Sequence, residues 1–170
     1  MPADRSGLTL LRVGIEGDRP FVNLFGSTAE ARDYIVQLIG AVSAIYQRDL
    51  NARPMLAFAR LWPNGGEPFN PYDIGDFWNY WTMHEDTTGL NLIAMFSGVR
   101  DAPYGGIGYL GYTCFGAIFS IQVRMNGTFV APVTFPDAGN GDLLLVAHEM
   151  GHNCGASHTH DPGAFNPGNC

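Results

Sequence analysis

The segment HEMGHNCGASH, His148 to His158, holds three of the five histidines of a 170-residue chain, together with one glutamate and two glycines. Placed on a helix over 143–154, His148 and His152 lie four residues apart and project from one face, about one turn apart. That spacing lets two imidazole nitrogens meet one Zn2+ ion at about 2.0–2.1 Å each. Glu149, the next residue round the helix, can reach a water on such an ion without being a ligand. Zinc lowers the pKa of that water to about 7, and the carboxylate can then take its proton. Gly155 ends the helix, and a glycine there tolerates the positive φ that turns the chain sharply. The turn brings His158 back beneath the helix as a third ligand. Three protein ligands and one open position describe a catalytic zinc site, whereas a structural site is closed. Histidines without that turn would read as core or surface decoration.

The opposite face of the same helix must hold it in place. Leu143, Ala147, Met150 and Cys154 follow i, i+4, i+7, i+11 and form an apolar stripe turned away from the histidines. On that stripe Cys154 reads as a small buried apolar thiol. Upstream, LLRVGIEG near 9–17 predicts a first strand. Ser27 is an N-cap candidate with Glu30 at the capping-box spacing. The helix it opens carries Tyr34, Ile35, Leu38, Val42, Ile45 and Tyr46 at a 3.6-residue period. A second strand is predicted over 54–62, ended by Asn64, Gly65 and Gly66. A short helix follows over 72–84, then a buried strand over 89–98 and a glycine-rich extended stretch over 105–114. Asn126-Gly127 between two apolar runs signals a hairpin. Strand, helix, strand, helix, strand predicts an α/β fold with a mostly parallel sheet and some antiparallel strands.

The composition fits one globular domain: 46% of residues are apolar and 15% charged. A net charge of −7 argues against nucleic acid or an anionic membrane surface as partner. The longest apolar stretch of the N-terminus is too short for a signal peptide and is interrupted by Arg12. No segment is long enough to insert in a membrane. Three cysteines, Cys114, Cys154 and Cys170, leave one unpaired or paired outside this chain.

At the zinc motif the chain resembles the metzincin zinc endopeptidases, whose pattern is H-E-x-x-H-x-x-G-x-x-H. AHEMGHNCGASHTHD is similar to the reprolysin, or adamalysin-like, branch. FGSTAEARDYIVQLIGAVSAIYQRDLNARPMLAFARLW is similar to that branch's first helix and second strand, and GGIGYLGYTC to its edge strand. The resemblance implies zinc ligands His148, His152 and His158, with Glu149 as general base. It implies a metzincin-like N-terminal subdomain: a twisted, mostly parallel sheet with an antiparallel edge strand, helices packed on it, and the active-site helix near the C-terminus. Few lysines, many glycines and a low pI fit a secreted protein, and the resemblance implies a polypeptide substrate lying extended along Gly106, Ile107, Gly108, Tyr109 and Leu110. An exposed edge offers unpaired N–H and C=O groups to such a backbone. The competing reading of these glycines is a flexible or bulged strand.

One departure from the family is large. Metzincins carry a methionine-containing turn after the third histidine, and here the last methionine is Met150, inside the motif. The twelve residues after His158 read as a loop. The expectation is a single catalytic domain over 1–170 that lacks its C-terminal subdomain and methionine turn. Cys114 and Cys170 then become candidates for disulfides to cysteines beyond the end, with a bridge between the two as the alternative. His160 and Asp161 read as a solvent-facing loop or as a brace for the site. His84 reads as surface or core. Phe77, Trp78, Tyr80 and Trp81 read as packing at helical spacing. Asn126-Gly127-Thr128 matches a glycosylation sequon, yet a tight turn accounts for the same residues. Besides an endopeptidase, the sequence allows a zinc-binding but inactive fragment, or a non-enzymatic secreted interaction domain.

Overall fold

The computed structural model describes residues 7–111, 116–130 and 138–158. In chain order these form β1 (Thr9–Gly17), α1 (Arg19–Val22), α2 (Thr28–Leu50), β2 (Ala52–Leu61), α3 (Ile74–His84), β3 (Leu92–Phe96), β4 (Gly106–Gly108), β5 (Ile118–Gln122) and α4 (Gly141–Asn153). The strands make one sheet in the order β2-β1-β3-β5-β4. The pairs β1–β2, β1–β3 and β3–β5 are parallel, and β4 joins β5 antiparallel at the edge. This is the α/β architecture the alternation of elements predicts. Among the described residues no helix is long and apolar enough to cross a membrane.

Each face of the sheet carries its own core. Leu11, Val13, Ile15, Leu92, Ala94 and Phe96 pack against α2 and α4. Ile93, Met95, Phe119, Ile121 and Val123 pack against Phe77 and Trp81 of α3 on the other side. β3 is therefore buried at all five positions, which is why its sequence is a continuous apolar run with no alternation. Of the aromatic group on α3, Phe77 and Trp81 are buried while Trp78 is exposed. His84 ends α3, exposed, with its ring against Tyr80, on the face opposite α4.

The caps explain where the helices begin. Ser27 Oγ accepts from Glu30 N at 3.2 Å. The Glu30 carboxylate reaches back to Gly26 N at 2.9 Å, one residue before the partner a capping box uses. Asp73 caps α3 through Gly75 N and Asp76 N, so that helix starts at Ile74 and not at 72.

Among the described residues, the hairpin expected at Asn126-Gly127 is not seen. β5 is paired on both sides, with β3 and β4, so it offers no free edge to a returning strand. The turn's donors go elsewhere: Asn126 N and Gly127 N both bond the Asp142 carboxylate, at 2.9 Å each for the shorter contacts. The Asn126 amide, the residue of the sequon, accepts from Arg100 and faces Asp142. Of the extended stretch expected over 105–114, the described residues form a strand at 106–108. Cys114, His160, Asp161 and Cys170 lie outside the described residues.

Candidate metal centre

α4 has three faces, and each meets a different environment. Leu143, Val146 and Met150 are fully buried in the core shared with α2 and β1, with Ala147 and Cys154 packed against it. Tyr46 of α2 fixes the same side by donating to Ala147 O at 2.8 Å. Asp142, Glu149 and Asn153 are buried polar residues at i, i+7 and i+11, the spacing of a second stripe along the helix. The third face carries His148 and His152.

The C-terminal turn places His158. Gly155 has φ 93°, which a side-chain-bearing residue adopts only at a cost. Gly155 N donates to His152 O and Ala156 N to Gly151 O, both at 2.9 Å. This pair of bonds is the Schellman arrangement that closes a helix and reverses the chain. It brings His158 back to the two helical histidines. The Nε2 atoms of His148, His152 and His158 lie 3.0, 3.1 and 3.2 Å from one another.

Such a triangle fits a shared cation. A ring nitrogen is either a donor or an acceptor along one in-plane direction, so three cannot satisfy one another at once. Zinc bonds of about 2.0–2.1 Å at tetrahedral angles set ligand nitrogens about 3.3 Å apart, close to the spacing observed. The turn also sets the tautomer of His152. Its Nδ1 lies 2.7 Å from Ala156 O, and a carbonyl only accepts, so the proton sits on Nδ1 and the Nε2 lone pair is left for a metal. Burial, then the charges of His152 and His158, hold His148 below its ordinary pKa, a shift toward the neutral form that a ligand needs. His152 sits in the last turn of α4 and His158 beyond it, where the macrodipole favours a cation. The three histidines are thus positioned to bind a metal.

Glu149 lies beside them, 4% exposed. Its Oε2 has no hydrogen-bond partner among the described residues. Burial pushes its pKa up, opposed by His152. The carboxylate is tucked against β4, where Gly106 and Gly108 leave room for it. Asn153 ties the end of α4 to the edge of the sheet. Its one amide nitrogen donates to Tyr109 O and Phe119 O, both at 3.0 Å. Ile107, Tyr109 and Leu110 are exposed along this edge.

The sequence reading missed Asn153 and Asp142. The signal was their spacing with Glu149, one helical stripe, but polar residues at buried positions break the apolar pattern by which a core face is recognised. The glycines of β4 pair with β5 in regular register, without a bulge, and at each of them α4 approaches the strand closely.

The description "Metallo-peptidase family M12B Reprolysin-like" matches residues 8–167. Among solved structures, the chain is similar to metalloproteinase-II from Bacteroides fragilis, at 12% identity and a TM-score of 0.54, over 94% of this chain and 46% of that one. It is also similar to a chain in the structure of a chaperone–substrate complex, at 11% identity and a TM-score of 0.56, over 90% of this chain and 24% of that one. At these identities the likeness is one of fold, and this chain spans less than half the length of either. No curated protein matches it.

Proposed function

The chain belongs to the reprolysin-like metallopeptidases of family M12B, and from that premise we propose that it is a secreted zinc endopeptidase. In this reading His148, His152 and His158 hold the metal and Glu149 is the general base. The observation that carries it is the convergence of three Nε2 atoms at the end of the helix that also carries Glu149, whose buried Oε2 has no hydrogen-bond partner among the described residues.

Zinc, when bound, supplies Lewis acidity toward water and toward the scissile carbonyl. The rest is done by the chain. His152 is locked in its ligating tautomer by Ala156 O. Glu149 Oε2 is left to accept a proton from the attacking water, and burial raises its proton affinity toward the range in which it can hand that proton to the leaving amine. Gly106, Ile107, Gly108, Tyr109 and Leu110 receive an extended polypeptide along the sheet edge. Main-chain pairing of this kind holds many sequences alike. Export belongs to the same proposal, as a trait of the family.

Protein purified with zinc should carry a single ion per chain by elemental analysis, cleave an unstructured protein, and stop when a chelator is added. Zinc retained without any cleavage would leave an inactive metal-binding fragment. Absence of zinc would leave an interaction domain.

A further inference from the structure

The edge strand β4 meets two demands with the same two residues. Val123 N donates to Gly105 O at 2.9 Å and Tyr109 N to Phe119 O at 3.0 Å, in the register that pairs Gly106 with Gln122 and Gly108 with Ser120. Hydrogen-bonded and non-bonded positions alternate along an antiparallel pair. Gly106 and Gly108 are therefore the non-bonded positions, and their N–H and C=O groups point away from β5, toward the open edge. β5 uses Gln122 O on its other side, for Ser97 N at 2.8 Å.

The missing side chains point at α4. A Cβ on Gly106 would stand 2.7 Å from Cδ and 2.8 Å from Cγ of Glu149. One on Gly108 would stand 3.1 Å from Glu149 O, 3.2 Å from its Oε2 and 3.3 Å from Asn153 Nδ2. Neither glycine has a positive φ, so backbone conformation does not demand glycine here. Space for the helix and its carboxylate does.

We propose that Gly106 and Gly108 are positioning residues: Gly106 leaves the volume that the Glu149 carboxylate occupies, Gly108 sets how closely the strand approaches the α4 backbone, and the outward main chain of both receives the substrate. The general base and the peptide backbone are thereby registered on the same pair. The inference rests on the reading of Glu149 as general base. A side chain at 106 would displace the carboxylate without removing any main-chain group that binds peptide.

The test is a double-mutant cycle in melting temperature together with steady-state kinetics on an unstructured peptide. Gly106→Ala should lower the midpoint by about 5 °C and by no more than about 1 °C when Glu149→Ala has emptied the volume. Gly108→Ala should keep most of its smaller cost in both backgrounds, because the Glu149 main-chain O and Asn153 Nδ2 that it meets remain. In the zinc-loaded protein, Gly106→Ala should lower kcat about tenfold or more with KM within about twofold. Additive midpoint shifts would overturn the proposal. So would a loss confined to KM, or an unchanged kcat. If the parent chain loads zinc and cleaves nothing, the proposed function falls, while the melting cycle still decides whether Gly106 makes room for Glu149.

Discussion

The two ends of α4 are held in opposite ways. At the N-terminal end Asp142, 2% exposed, accepts from Tyr34 Oη at 2.6 Å and from Asn126 N and Gly127 N at 2.9 Å. A buried anion with this many donors, in the first turn of a helix, is compensated both by hydrogen bonds and by the helix dipole. At the other end Glu149 and Asn153 are equally buried, yet Glu149 Oε2 and Asn153 Oδ1 have no partner among the described residues. Buried polar atoms are nearly always satisfied, and each orphan calls for an explanation. At one end the buried carboxylate is saturated with donors; at the other Asn153 Nδ2 still ties the helix to the sheet, but Glu149 Oε2 is left unsaturated where chemistry is proposed.

The comparison can be broken most decisively at Glu149. Glu149→Ala should reduce peptide hydrolysis by at least about 10³-fold while zinc affinity is kept and the melting midpoint is unchanged or higher. A midpoint several degrees lower would make Glu149 an anchor like Asp142. Asp142→Ala should do the reverse, costing about 3 kcal/mol in urea denaturation by leaving Tyr34, Asn126 and Gly127 without their acceptor. Zinc at about 100 times its Kd should add about 2.7 kcal/mol to the stability of any variant whose histidines are intact. Asp142→Ala should retain that increment, and His158→Ala should lose it. Equal increments in both would mean that His158 is no ligand. The smallest expected effect sharpens the contrast. Tyr34→Phe removes one donor of several to Asp142 and should cost about 1.5 kcal/mol, with kcat unaltered.

Much of this was legible in the sequence because it is local. The helix over 143–154, its end at Gly155 and the spacing of His148, His152 and His158 follow from a 3.6-residue period and from glycine's freedom at positive φ. β3 was legible from its apolar run. What was not legible depends on neighbours distant in sequence. Whether Asn126-Gly127 turns a hairpin depends on whether β5 has a free edge, and β4 had already taken it. Whether Gly106 signals flexibility or close approach depends on which residue of α4 lies over it. The polar stripe of Asp142, Glu149 and Asn153 has helical spacing, but only the structure supplies the partners that make two of its members braces.

The Schellman turn at Gly155 has a consequence for how an ion would be captured. Donors gathered from a short stretch need little loop closure, since that entropic cost rises only as about (3/2)RT ln n. Three residues separate His148 from His152 and five separate His152 from His158; the first gap is already rigid and the second is half fixed by main-chain bonds. The chelate therefore belongs to the last helix and its hook alone. Its assembly does not wait for distant strands to find one another, whereas the rail on which a peptide would lie does.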